Sequence, residues 1–178
     1  MSKSLKIFAL TIIFTLFLNA NSYSEIWWDS KMPESYLVGT GKLKVFFWDI
    51  YNLKLFSSSK AIEKADDLVL EFQYLRDVSK KSIIDASIKE LKKNTNFDKY
   101  KLGVWAQYLE KSIRDMLSGE KAALYLSMDK NITFFINGEK EITFHDKEFG
   151  NAYMNIWLGE NTSKPELRKK LLGTISVQ

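Results

Sequence analysis

The stretch ITFFINGEKEITF, residues 132–144, contains the strongest hairpin pattern in the sequence. Apolar residues alternate at Ile132, Phe134 and Ile136, and Asn137-Gly138 then supplies the positive φ angles of a tight type I′ turn. A second segment returns from Glu141 to Phe144. The pattern predicts two antiparallel strands joined by a short turn.

Apolar and polar residues also alternate on the N-terminal side of this hairpin, which predicts further strands. Residues 36–56 are interpreted as two strands joined near Trp48-Asp49, residues 68–74 as a third with one solvent-facing side, and residues 122–128 as a fourth. Gly39 and Gly41 lie in the first of these strands. We interpret them as a bend or bulge, because two glycines alone do not make a phosphate-binding loop.

The remaining segments have the apolar period of helices. One helix is predicted from a Ser79 cap, and a second from about Asp98 to Gly119. After the hairpin, a helix is predicted from Asp146 to Gly159, and a last one from a capping box at 163–166 to near Gly173. The apolar stripes of the first two are Ile84, Ile88 and Leu91, and Leu102, Trp105, Leu109, Ile113 and Met116.

The order of elements is strands, helices, strands, helices, with short turns between the strands. This order favours an α+β fold, an antiparallel sheet with helices packed on one face, over a parallel doubly wound fold. No repeat or long linker divides the sequence. We therefore expect one domain over residues 25–178, a length that can bury a substantial core.

The first 24 residues have the layout of a signal peptide. Lys3 and Lys6 precede an apolar run over residues 7–18, which is too short to span a bilayer, and small polar residues follow. Cleavage fits after Ala20, Ser22 or Ser24, of which the last two are favoured. The expected location of the mature protein is periplasmic or secreted, and no transmembrane segment is expected after removal of residues 1–24.

Composition argues against several function classes. Without the two lysines of the signal peptide, 24 basic residues stand against 22 acidic ones, and no basic block indicates a nucleic-acid partner. The sequence has no cysteine and one histidine, so neither a metal site nor a cofactor is indicated. His145 precedes a predicted helix and is expected at the surface.

Four segments together carry a family resemblance. They are residues 38–44 with Gly39-Thr40-Gly41, residues 50–55, residues 68–77 ending in Tyr-Leu-Arg-Asp, and residues 155–173 with Ile156-Trp157-Leu158-Gly159. In these segments the chain resembles the bacterial chalcone isomerase-like family. The resemblance implies an open-faced β-sandwich with a ligand cleft between the sheet and the helices. Plant members of the family cyclise chalcones, and other relatives bind fatty acids without catalysis.

The resemblance also implies where site residues lie. The arginine of the plant enzymes matches Leu43, which Lys42 and Lys44 flank, and their threonine matches Tyr51. Their serine or threonine before the closing glycine matches Ile156. Trp105 and Tyr108 lie in the helix that carries the tyrosine and asparagine of the plant site. Two of the three positions that can be matched are thus apolar, where an isomerase needs hydrogen-bond donors or charge.

These observations favour an exported, non-catalytic protein that binds an apolar small molecule such as a fatty acid. The expected ligand-binding residues are Lys42, Lys44, Tyr51, Trp105 and Tyr108, and no catalytic residue is identified. Two alternatives stay open. One is an isomerase, an intramolecular lyase, acting on an unknown substrate, and the other is an interaction protein whose cleft is filled by its own side chains.

Overall fold

The computed structural model describes residues 28–93, 97–138 and 140–174. Within these ranges lie six strands and four α-helices, and a short 3₁₀ helix, Ile62–Lys64, precedes the third strand. The elements in chain order are β1 (Tyr36–Val45), β2 (Trp48–Ser57), β3 (Leu68–Tyr74), α1 (Lys80–Lys93), α2 (Lys99–Ser112), β4 (Lys121–Leu126), β5 (Ile132–Ile136), β6 (Lys140–Phe144), α3 (Lys147–Leu158) and α4 (Pro165–Leu171).

The strands form one sheet in the order β1-β2-β3-β4-β5-β6, and every neighbouring pair is antiparallel. Residues paired across strands share a face of the sheet, as Tyr51 does with Leu43 and Tyr74. The four helices lie over one face. The predicted α+β fold, an open antiparallel sheet with helices on one side, is confirmed.

Alternation places the main core on the helical face. Leu53, Leu55, Leu70 and Leu124 point from the sheet into this core and are at most 5% exposed. Helix α3 packs on β4 and β5, and α4 packs on β1 and β2. Helix α1 packs mainly against α2 and α3 rather than against the sheet, which leaves space beneath it.

The opposite face of the sheet is partly covered by the segment at 28–32. Trp28 and Met32 are buried against Val69 and Phe135, and Trp28 Nε1 donates to Glu71 Oε2 at 3.4 Å. Val69 lies on the side of β3 that was predicted to face solvent, but it is buried. The covering residues lie far from β3 in sequence, so alternation within the strand could not show them.

Gly39 and Gly41 let α4 lie directly on β1. A Cβ atom at Gly39 would lie 2.2 Å from the Lys170 carbonyl oxygen, and one at Gly41 would lie 2.3 Å from a methyl carbon of Leu167. The pairing of β1 with β2 also shifts between Leu37 and Gly39. The predicted irregularity is confirmed, and helix contact is a second reason for the glycines.

Two predicted turns differ in detail. The first hairpin turns at Phe46-Phe47, two residues before the predicted Trp48-Asp49, because Val45 pairs with Trp48. In the last hairpin Asn137 and Gly138 have the predicted positive φ angles, 48° and 73°. Three residues rather than two separate its last paired positions, because Ile136 pairs with Lys140.

Helix α2 ends at Ser112, well before the predicted Gly119. Residues 113–119 turn back along the end of β3 instead. Val78 and Met116 exchange backbone hydrogen bonds of 2.8 and 2.9 Å, and Gly119 N donates to the Tyr74 carbonyl at 2.8 Å. Ile113 and Met116 are still buried, so the spacing of these apolar residues predicted their burial correctly although they do not belong to the helix.

At the last two helices, the caps confirm two predictions and correct a third. Asp146 accepts from the backbone N–H groups of Glu148 and Phe149, and α3 ends before Gly159 as predicted. The capping box predicted for α4 does not form, because Lys164 is the N-cap residue and Ser163 lies one position too early. The signal peptide predicted over residues 1–24 lies outside the described residues.

Candidate ligand-binding cleft

A cleft of about 760 Å³ lies between the sheet, α1 and α3. It exists because α1 rests on its neighbouring helices and not on the strands below it. Its sheet wall includes Leu43, Tyr51, Phe72, Tyr74, Leu124, Phe134 and Ile136. Its helical wall includes Ile83, Ser87 and Glu90 of α1 and Tyr153, Ile156 and Trp157 of α3. Most of these side chains are apolar or aromatic, which suits an apolar ligand.

Aromatic contacts hold one end of the cleft. The Phe72 ring lies 5.2 Å from the rings of both Tyr51 and Trp157, in edge-to-face geometry. Tyr153 meets Trp157 at 5.6 Å, and Tyr51 meets Tyr74 at 5.6 Å. These pairs fix the orientation of each ring through its neighbours. This part of the wall is therefore formed before a ligand arrives.

Hydroxyl groups are the polar groups deep in the cleft. Trp157 Nε1 donates to the Tyr51 hydroxyl oxygen at 3.1 Å, and Ser87 Oγ shares a hydrogen bond of 3.2 Å with the Tyr153 hydroxyl. Because Tyr51 accepts the indole N–H, its own proton can be donated to another oxygen. The same geometry suits a ligand carboxylate or carbonyl at this end.

Burial makes these tyrosine hydroxyls still harder to ionise. Loss of hydration raises the pKa of Tyr51 and of Tyr74 well above the ordinary value, and the indole N–H beside Tyr51 only partly opposes this. Burial likewise raises the pKa of Tyr153 to about 12, against a smaller effect of the Ser87 hydrogen bond. At neutral pH the cleft thus presents hydrogen-bond donors and no phenolate.

Charged side chains lie at the rim. Lys93 Nζ pairs with Glu90 Oε1 at 2.7 Å, and the Arg76 guanidinium lies 4.1 Å from the centre of the Trp48 ring. All three charged residues line the cleft. The cleft therefore passes from a charged, solvent-facing mouth to an apolar interior with neutral hydroxyls.

Residues 31–173 match the family described as chalcone isomerase-like. The chain belongs to this family. Among solved structures, the fold is similar to that of a fatty-acid binding protein of Arabidopsis thaliana, with a TM-score of 0.61 and 14% identity over 79% of this chain and 88% of that chain. Identity at this level shows the shared fold alone. No curated protein matches the sequence.

The three positions matched to the site of the plant enzymes all line the cleft of this chalcone isomerase-like protein. They are Leu43 on β1, Tyr51 on β2 and Ile156 on α3. Leu43 and Tyr51 are paired across the two strands and so share a face. The family resemblance thus identified cleft positions, and two of the three carry apolar side chains.

The expected lysines lie elsewhere, which corrects their predicted placement. Lys42 and Lys44 flank Leu43 on the strand and pair with Asp49 at 2.7 and 3.3 Å, outside the residues that line the cleft. Hydrogen bonds from these lysines, first from Lys42, lower the pKa of Asp49. Alternation along β1 gives the cleft position to Leu43 instead.

Trp105 and Tyr108 also lie outside the cleft lining. They belong to an aromatic cluster with Phe134, Phe144 and Phe149, in which the Tyr108 ring stacks on Phe144 at 4.4 Å. Trp105 is 1% exposed and donates through Nε1 to Asp146 Oδ2 at 3.1 Å. The helical stripe that contains Trp105 predicted the burial of that residue correctly, but it could not show which space the ring fills.

Sequence reasoning missed Tyr74, Tyr153 and Trp157 as cleft residues. Tyr74 is in register with Tyr51 across two strands, so the face of Tyr51 implied it once the pairing was known. Trp157 lies within the segment 156–159 that carried the family resemblance. Tyr153 precedes it by one helical turn and shares its face of α3.

The described ranges offer neither a metal centre nor a membrane span. Within them, no group of three histidine, cysteine, aspartate or glutamate residues is arranged to hold a metal ion. None of the helices in those ranges has the length and apolarity required to span a bilayer. His145, in the loop before α3, is exposed as expected.

Proposed function

We propose that the protein binds an apolar small molecule such as a fatty acid in this cleft without converting it. One observation carries the proposal. Of the three cleft positions where the plant enzymes have polar side chains, two are occupied here by Leu43 and Ile156. The cleft volume lies within the range of about 300–1,000 Å³ typical of small-molecule sites.

The polar end of the ligand is assigned to the tyrosine hydroxyls. Tyr51 and Tyr74 are neutral at physiological pH, lie beside each other, and can donate to a carboxylate oxygen. The open volume argues against the alternative in which the protein's own side chains fill the cleft. An isomerase would need charge or donors aimed at the reacting atoms, and Leu43 and Ile156 provide neither.

Export to the periplasm or the exterior is part of the proposal and is supported by the pattern of residues 1–24. N-terminal sequencing of the protein recovered from the exported fraction tests it. We expect the chain to begin between Asn21 and Glu25. Retention of Met1 would contradict export by cleavage.

Native mass spectrometry of the purified protein tests the binding function. We expect a retained mass of a few hundred daltons that disappears on denaturation. A substitution that fills the cleft tests whether the ligand binds there. Ile83→Trp places a large ring in the cleft, whereas Lys92→Trp adds the same ring to an exposed position on the same helix. Ile83→Trp should weaken binding of a fluorescent fatty acid at least tenfold, and Lys92→Trp should leave it unchanged.

Tyr51→Phe tests the polar end. A hydrogen bond to a charged oxygen is worth about 1.5–3 kcal/mol, so we expect fatty-acid affinity to fall at least tenfold. Tyr125→Phe is the matched control, because Tyr125 packs with the cluster on the opposite face of the sheet. Equal affinities of the two variants would show that the carboxylate lies elsewhere. Cyclisation of a chalcone at the rate of a plant enzyme would contradict the whole proposal.

A further inference from the structure

The turn between β1 and β2 exposes a group of large apolar side chains. We call residues 45–48, Val45-Phe46-Phe47-Trp48, the hairpin tip. The exposed fractions are 91% for Phe46, 97% for Phe47 and 59% for Trp48. Single exposed apolar residues are ordinary, but consecutive exposed aromatic residues at a protruding turn mark an interaction surface.

The backbone of the hairpin tip makes these residue types more unusual. Phe46 has a φ angle of +53°, in the left-handed region that bulky side chains rarely adopt. The turn at Asn137-Gly138 in the same sheet uses residues suited to that conformation. At position 46 the chain has phenylalanine where both the backbone and the solvent disfavour it, and at position 47 it has phenylalanine where the solvent does. Packing within the protein does not account for them, since both rings face solvent.

Positively charged side chains lie next to the aromatic side chains of the hairpin tip. Lys42 and Lys44 lie on the strand that enters the turn, and Arg76 stacks on Trp48 at 4.1 Å. Asp49 pairs with both lysines and neutralises one of these three positive charges. Aromatic side chains backed by lysine and arginine fit the boundary of an anionic bilayer, where rings enter the headgroup region and cations meet phosphate.

The hairpin tip also adjoins the mouth of the cleft. Val45 belongs to the tip and lines the cleft, and Arg76 both lines the cleft and stacks on Trp48. A surface that receives the tip would therefore lie against the opening. This continuity, together with the positive excess, favours a lipid surface over a protein partner.

We propose that the hairpin tip inserts into the headgroup region of an anionic phospholipid bilayer and places the mouth of the cleft against it. The apolar cargo then moves between bilayer and cleft without crossing water. The transfer step rests on the proposed binding function, whereas insertion of the tip does not.

Co-sedimentation with vesicles of phosphatidylglycerol and phosphatidylcholine tests the insertion. The variant Phe46→Asn with Phe47→Gly removes both rings and installs residues that suit a tight turn, so the hairpin is preserved. We expect its partition onto vesicles to fall at least tenfold, with fatty-acid affinity in solution unchanged. Met128→Ser is the matched control, because Met128 is 61% exposed in a loop outside the tip and should not affect partition.

Several outcomes would decide the proposal. Raising the salt concentration should weaken vesicle binding of the parent protein, because part of the attraction is electrostatic. Equal vesicle binding by the parent protein and the tip variant would overturn the proposal. It would also be overturned if neither protein bound vesicles and the parent bound a protein partner that the tip variant did not bind. Vesicle binding through the tip without fatty-acid binding would support the insertion and overturn only the proposed transfer of an apolar molecule between bilayer and cleft.

Discussion

The aromatic cluster and the cleft lie side by side on the same face of the sheet, and one helix serves both. Phe149, in the first turns of α3, is buried among the rings of the cluster, whereas Tyr153, Ile156 and Trp157 further along the helix line the cleft. Helix α2 fills the space opposite the first part with Trp105 and Tyr108. Above the cleft, α1 stands off from the sheet. The position of the nearest helix, rather than the strands, decides whether this face of the sheet is packed core or open cleft.

The largest expected effect separates the two regions by stability. Phe149 is fully buried and meets the rings of Trp105, Tyr108 and Phe144 within 5.8 Å, so Phe149→Ala should lower the free energy of unfolding by about 3–5 kcal/mol. Phe72 has the same side chain but borders the cleft. Phe72→Ala should cost about 2 kcal/mol, because one side of its ring is not closely packed. Urea unfolding of both variants measures the difference, and equal losses would show that the cleft wall is packed like the core.

A second prediction concerns how α4 closes the sheet next to the cleft. The carbonyl oxygen of Lys170 leaves no space for a Cβ at Gly39, so Gly39→Ala should displace α4 and cost about 2–4 kcal/mol. A Cβ at Gly103 in α2 would meet no atom within 4 Å beyond its own stretch of helix, and Gly103→Ala should instead stabilise by about 0.5–1 kcal/mol. Thermal unfolding of the two alanine variants should therefore shift in opposite directions. A stable Gly39→Ala protein would mean that α4 can move without loss.

The smallest expected loss of stability concerns the segment that brings Ile113 and Met116 to the cleft. Glu120 holds it through two hydrogen bonds from Arg114 at 2.8 and 2.9 Å and one from the Leu117 backbone at 2.7 Å. These bonds, first that with Arg114, lower the pKa of Glu120 to about 2 from an ordinary 4.5. The carboxylate therefore adds stability above about pH 4.5 that is lost as the pH falls toward 2.

Glu120→Gln should cost about 1–2 kcal/mol at pH 7, because the salt bridge is partly solvated. Its difference from the parent protein should shrink as the pH falls from 4.5 toward 2. Urea unfolding at a series of pH values measures this, with Glu166→Gln as control, since the exposed pair of Glu166 with Lys169 lies within one helix. A constant difference across this range would contradict the assigned role.

The sequence predicted local periods well and long-range placement poorly. The strand at 68–74 and the helix between Asp146 and Gly159 were predicted at their observed bounds, because alternation and caps act within a few residues. The end of α2 was not, because Met116 pairs with Val78, a contact that no local pattern contains. Propensity yields to such tertiary contacts.

The residues of the candidate site were likewise predicted only in part. Leu43, Tyr51 and Ile156 were identified as cleft positions through family resemblance. Lys42 and Lys44 were expected there because a charged ligand needs a cation, although alternation places them and Leu43 on opposite faces. The pairing of Leu43 with Tyr51 decides which face meets the cleft, and pairing is a property of two strands together.

The order of the strands has a consequence for how the chain folds. Each strand pairs with its neighbour in sequence, so most pairings close short loops and form early. The pairing of β3 with β4 is different, because these strands are separated by a loop of residues 75–120. Closing a loop costs more entropy as the loop lengthens. That loop contains α1 and α2. We therefore expect the two halves of the sheet to join late, so that a refolding chain completes its cleft in its last step.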